Sequence, residues 1–247
     1  MNPNPYQDSP LPVRDDLAAA HRRVWDHIAA PGTWWNGGER VALAAETRNA
    51  PACRLCRERN EALSPAAVTG IHDSLGDLPD NVVEVIHRVR TDPARLTRSW
   101  FESIMRSGLT PEQYVEIVSV VVHVVSVDTF ARGIGVAPLP LPGPASGEPT
   151  RRRPGGAKPG PAWVSWIEAA DLTDAEADIY PKGQAPANVR KAMSLIPAEV
   201  RSFFAMCDAQ YLGALQIRDF SREFRAISHA QIELLAARVS ALNQCFY

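Results

Sequence analysis

Thr110–Gly133, TPEQYVEIVSVVVHVVSVDTFARG, is the stretch on which the fold class turns. Valine recurs through it, and on propensity alone a valine-rich run suggests a strand. At more than about twenty residues it is too long for a strand of the usual 4–8. Its ends also carry helix signals: Thr110 and Gln113 stand at capping-box spacing, Pro111 takes the first helical position, and Gly133 supplies a stop. The run is read as a buried helix continuing to about Arg132.

Similar starts lie on both sides of it. Ser64-Pro65, Thr173 with Glu176, and Pro197 with Glu199 each read as a helix beginning, and Ser228 with Gln231 forms a further capping box. No alternating run of convincing strand length is found, so the expected class is all-α. Between Ala137 and Ala162 the sequence APLPLPGPASGEPTRRRPGGAKPGPA holds eight prolines and five glycines, a composition that builds no core. The chain therefore divides into a helical block at 1–137, a linker at 138–161 and a second helical block at 162–247.

Composition excludes some functions. With 45% hydrophobic residues, 22% charged residues and a net charge of −2, the 247-residue chain has no basic field for nucleic acid. Arg151-Arg152-Arg153 reads as a solvated linker patch. The most apolar segment contains Glu116, His123 and Asp128 and reads as too polar and too short to span a membrane. The start, MNPNPYQDSPLPVRDD, lacks a basic region followed by an apolar one, so the cytoplasm, where thiols stay reduced, is the expected compartment.

The cysteines carry the chemistry. Cys53 and Cys56 form a C-x-x-C, which in a reducing compartment reads as redox-active or metal-binding. A zinc site would need a second C-x-x-C or a histidine pair at close spacing, and the sequence has none nearby; no metal ligands are assigned and no cofactor is expected. Cys207, within SFFAMCDAQYL, reads as a small buried hydrophobe. His123 reads as a core histidine. Trp34 and Trp35 read as packing, with the lining of an apolar pocket as the alternative.

An internal similarity links the two blocks. Glu39 is followed ten residues later by Asn49 and then by Cys53; Glu233 is followed ten residues later by Asn243 and then by Cys245. The second of these, SHAQIELLAARVSALNQCFY from Ser228, resembles the core motif of alkylhydroperoxidase D and its relatives in the carboxymuconolactone decarboxylase superfamily. The family pattern is E-x(11)-C-x-x-C-x(3)-H, and the spacing from Glu233 to Cys245 is similar to it. WWNGGERVALAAETRNAPACRLC in the first block resembles it more loosely.

The resemblance implies a tandem helical fold in which two related blocks form one unit or pseudo-dimer, with a homo-oligomer expected. It implies a thiol or selenol peroxidase that reduces hydroperoxides with electrons from a dithiol protein or a small thiol. Cys56 would be the attacking thiol and Cys53 its resolver, Cys245 a resolving thiol, and Glu39 and Glu233 general bases. Some relatives carry selenocysteine at the slot that follows Tyr247, so the expectation is that a recoded UGA has been read there as a stop. The family histidine, four residues after the second cysteine, is Asn60 here, which relays no proton. His72 and His87, near Asp73 and Glu84, are candidates to replace it. Two other readings stand beside the peroxidase: a non-redox lactone-acid enzyme, and a helical interaction protein with vestigial sites.

Overall fold

A computed structural model describes residues 4–183, 185–243 and 245. Its helices in chain order are α1 (Asp15–Ala29), α2 (Gly37–Asn49), α3 (Arg54–Glu61), α4 (Asp80–Thr91), α5 (Arg98–Arg106), α6 (Pro111–Gly133), α7 (Asn188–Met193), α8 (Pro197–Gln210) and α9 (His229–Leu242). Two short strands, β1 (Ala157–Lys158) and β2 (Trp166–Ile167), pair antiparallel with Ala157 opposite Ile167. The class is all-α.

The valine-rich run is α6, and it forms the axis of the fold. Gln113 N–H donates to Thr110 Oγ1 at 3.2 Å and Thr110 N–H donates to Gln113 Oε1 at 3.0 Å, closing the box at its start. Past its end the chain turns at Gly135, whose φ of +78° is the left-handed region open to glycine, and Val136 N–H returns to the Ala131 carbonyl. A helix that is apolar around its whole circumference must be covered on every side. Here α2 and α4 pack along it, α1 and α8 close the remaining sides, and Ile117, Val120, Val121, Val124 and Val127 are buried.

The expectation that this segment is too short to span a membrane does not hold. The helix has 23 residues and is long and apolar enough by length and composition; its most apolar window is mostly buried against the other helices. Most of its buried polar groups find partners within the fold, His123 Nε2 being an exception. Arg48, for example, holds Asp128 with two hydrogen bonds of 2.7 and 2.8 Å.

Other expected starts fare differently. Ser64-Pro65 opens only a single 3-10 turn at Pro65–Ala67 with no side-chain cap, because Val68, Thr69 and Gly70 follow without apolar periodicity. Thr173 and Glu176 bond to each other in a non-helical turn. Pro197 does open α8, and Ser228 and Gln231 cap α9 as expected.

The proline- and glycine-rich segment is not a free spacer. Ala145 N–H donates to Ala29 O and Arg151 N–H to Thr33 O, each at 2.8 Å, so the segment lies along the corner between α1 and α2. The residues beyond it share a core with the first block. Val164, Ile167, Ile179, Leu195 and Val200 pack with Phe101 and Val115, and Met206 joins the main cluster around α6.

A buried ionic cluster fixes α8 in place. Arg40 on α2 bonds both Glu116 on α6 and, at 2.8 Å, Glu199 on α8, and all three side chains are fully buried. Glu199 also accepts from Ser119 Oγ at 2.6 Å and contacts His27 Nε2 on α1 at 2.9 Å. Glu116 accepts from Trp34 N–H at 2.7 Å, and Gly32 leaves room for its carboxylate, where a Cβ would overlap it. Burial and the neighbouring Glu199 push the Glu116 carboxyl up, against the pull of Arg40; Glu199 is held well below the carboxylate range because Arg40 and His27 outweigh its burial.

Two histidines are buried neutral. Burial lowers His123 to about 4, with Glu199 pulling it up and His27 and Arg40 opposing, and burial lowers His21, between Tyr6 and Gln210, to about 4 as well. An unfolded histidine takes its proton near 6.5, so between these values the unfolded chain binds more protons than the folded one. The stability they support is complete above about pH 6.5 and is lost as the pH falls to 4, up to roughly 3 kcal/mol for each. Urea midpoints are expected to fall across that window, and His123→Leu to flatten the fall; a midpoint constant from pH 6.5 to 4.5 would contradict neutral burial.

Candidate dithiol and metal centre

Pro51 lies in a 3-10 turn, Ala50–Ala52, that breaks α2 from α3 and places Cys53 at the N-cap of α3 with Cys56 one turn inside it. Both cysteines are buried, at 0% and 3% exposure, and neither is in a disulfide. Asp73, in the loop between α3 and α4, reaches back to accept from Arg54 N–H at 2.7 Å, and its own N–H points at Cys53 Sγ at 3.4 Å. That cap from a distance holds the loop so that His72 faces the thiols.

Two histidines converge on the sulfurs. His72 Nδ1 lies 3.5 Å from Cys53 Sγ and 3.6 Å from Cys56 Sγ; His87 Nδ1, from α4, lies 3.2 Å from Cys56 Sγ. Each ring is backed by a carboxylate: His72 Nε2 meets Glu84 at 2.7 Å, and His87 Nε2 meets Glu46 at 2.7 Å. A carboxylate only accepts, so each Nε2 carries a hydrogen and each ring turns its Nδ1 toward sulfur. Glu84 is itself fixed by Arg59 at 2.8 Å and Trp100 at 2.9 Å, and Glu46 by Asn49 at 3.0 Å and Leu75 N–H at 2.9 Å.

The charges follow from these contacts. Burial works to lower His72, but its bonds to Cys56, Glu84 and Cys53 prevail and raise it to about 10. Burial lowers His87, with the neighbouring His72 adding to the effect against the pull of Glu46. Glu84 falls to about 2 and Glu46 is also lowered, in each case because hydrogen bonds from the paired histidine and its neighbours overcome burial. Burial opposes ionisation of Cys53, yet the Cys56 N–H, His72 and Asp73 N–H bring its thiol below the usual range.

The structure brings together Cys53, Cys56 and the two candidate histidines, His72 and His87, and leaves Glu39, Glu233 and Cys245 elsewhere. Glu39 does not serve the thiols: its carboxylate accepts from Asn36 N–H at 2.8 Å in the capping box of α2. Glu46, two turns further along α2, stands at the site instead. Helix α9 runs unbroken from His229 to Leu242, so Glu233, near its start, and Cys245, beyond its end, are separated by roughly 14 Å of helix or more. Glu233 accepts from Tyr211 Oη at 2.6 Å, and Cys245 is exposed. Gln244, Phe246 and Tyr247 of the same motif lie outside the described residues. The two asparagines do occupy like places, Asn49 as the last residue of α2 and Asn243 as the C-cap of α9.

Asn60 bonds to Arg95 at the surface, away from the thiols, and the histidines that stand at the sulfurs are His72 and His87. Glu46 and Arg59 carry no motif in the sequence; Glu46, seven residues before Cys53 and so on the helix leading to it, is the one that its spacing could place at the site. Cys207 is partly buried, its thiol pushed up to about 12 by burial, and it has the character of an inert core residue. No family model, no curated protein and no solved structure matches the chain.

Proposed function

We propose that the chain is a dithiol peroxidase whose working pair is Cys53 and Cys56. The observation that carries the reading is that one imidazole nitrogen, His72 Nδ1, lies within 3.6 Å of both sulfurs. A single imidazole, raised to about 10 by these contacts, can then hold the proton of the attacking thiol and serve its resolving partner in turn. The attacking thiolate bonds to the distal oxygen of a hydroperoxide as the O–O bond breaks; the displaced alkoxide takes the proton held on His72 and leaves as an alcohol, and the sulfur becomes a sulfenic acid, with which the second thiol condenses, releasing water and closing a disulfide. An external dithiol then reduces that disulfide.

The geometry favours Cys53 as the attacking thiol, the reverse of the roles that the family resemblance implies. Cys53 holds the N-cap of α3, where unpaired helix N–H groups gather, and Asp73 N–H points at its sulfur. Because both sulfurs are buried, the reaction requires the loop over them, residues 62–79, to lift. The second cysteine site has no such support: its glutamate and its thiol stand at opposite ends of α9.

The test uses metal-free, reduced protein in a Cys207→Ser, Cys245→Ser background, treated with cumene hydroperoxide. The peptide spanning Cys53 and Cys56 is expected to lose two hydrogens and to regain them with a dithiol. In the Cys56→Ser variant a sulfenate trap should label Cys53. Thiols that both remain freely alkylatable would sink the reading.

A further inference from the structure

We infer that Cys53, Cys56, His72 and His87 bind one zinc-class divalent ion in the reduced protein. Their four ligand atoms, Sγ, Sγ, Nδ1 and Nδ1, all lie within 4.8 Å of one another. Around tetrahedral zinc, with Zn–S of about 2.3 Å and Zn–N of about 2.0 Å, the sulfur-to-nitrogen edges come to about 3.5 Å. The protein presents edges of 3.5, 3.6 and 3.2 Å before any ion draws them together.

The surroundings point the same way. Each histidine offers Nδ1 inward while its Nε2–H is held by a carboxylate, Glu84 or Glu46, the outer shell that fixes a ligating imidazole and its tautomer. Two thiolates and two imidazoles suit zinc over magnesium or calcium, and two thiolates neutralise a divalent ion, so the closed site buries no net charge. The ligands come from the N-cap and first turn of α3, the loop at 62–79 and α4. An ion there would join three segments, one of them a long loop with little regular structure, of the kind that is uncommon without a function or a tether. Spacing hid the site: His72 and His87 stand 16 and 31 residues beyond Cys56.

Binding does not depend on the peroxidase reading, but its consequence does. If the pair reacts with hydroperoxide, two thiolates, one hydroperoxide and two protons give one disulfide, one alcohol and one water, and the ion loses both sulfur ligands and leaves. Metal occupancy would then be the resting, protected state of the dithiol.

The full chain, purified reduced, is expected to carry close to one zinc by elemental analysis. After chelation it should take up one cobalt(II) with thiolate-to-cobalt charge-transfer absorption. Cys53→Ser and His87→Asn should each weaken cobalt binding at least 100-fold, Glu84→Gln about 10-fold or more, and Cys207→Ser not at all; circular dichroism checks that each variant folds. Reduced wild-type protein that holds less than a tenth of an equivalent of zinc and shows no charge-transfer band overturns the inference, whatever its reactivity. Protein that binds cobalt but keeps it under hydroperoxide leaves the metal site standing and removes the peroxidase reading.

Discussion

Arg40→Met is expected to lower the melting temperature by roughly 10 °C. Removing one partner of a buried ion pair leaves the others charged and unsatisfied, at a cost of about 3–5 kcal/mol, and for a chain of this size each kcal/mol moves the midpoint by about 2–4 °C. Arg40 serves two carboxylates at once, Glu116 and Glu199, and both are fully buried. The loss therefore falls on the junction of α2, α6 and α8, where the part of the chain beyond the proline-rich segment docks on the first. The triple variant Arg40→Met, Glu116→Gln, Glu199→Gln removes the stranded charges and is expected to recover part of the midpoint. Thermal melts followed by circular dichroism decide it, and an unchanged midpoint for Arg40→Met would show that the cluster does not hold α8.

Why that cluster escaped the sequence is instructive. Glu199 read as a first-turn glutamate beside Pro197, which it also is, and Glu116 read as a polar interruption in an apolar run. Each local reading was sound, yet the pairing joins residues 40, 116 and 199, and no periodicity links them. What was legible was local: the box Thr110 to Gln113, the length of the valine run, the cap at Ser228 and the C-x-x-C itself. The misses came where a local signal lacked tertiary support. Ser64-Pro65 began only a turn because no apolar face followed, and the proline-rich segment, which builds no core of its own, still lay down on the α1–α2 corner through backbone hydrogen bonds. The site divided in the same way. Its thiols were readable from their spacing, and His72 and His87 were named as substitutes for the missing relay. Their shared orientation, with Nδ1 on sulfur and Nε2 on a carboxylate, depends on α4 packing beside α2 and α3, and so on the fold.

His72→Ala is expected to slow disulfide formation at Cys53 and Cys56 in metal-free protein by at least 100-fold, the lower end of what a positioned acid–base group contributes. The size of the effect follows from the double contact, since the same Nδ1 touches both sulfurs and its loss affects both the attack on peroxide and the closure of the disulfide. His87 touches Cys56 alone, so His87→Ala should slow one of the two steps and spare the other. Separate rates, sulfenate trapping for the first step and loss of free thiols for the second, distinguish these patterns. A purely structural role for His72 predicts something else: a loosened loop at 62–79 and equal damage from any change that frees it. The loop has other anchors, the Asp73 carboxylate on Arg54 N–H and the Val68 carbonyl on Arg59, so limited proteolysis of His72→Ala should resemble that of the wild type. Asp73→Ala, by contrast, should open the loop to protease while leaving the imidazole in the chain. Free imidazole added to His72→Ala should restore part of the rate, because the vacated space adjoins both sulfurs and needs only a base to fill it. If His72→Ala reacts at the wild-type rate, the thiols do not use this histidine, and the peroxidase reading loses the observation on which it rests.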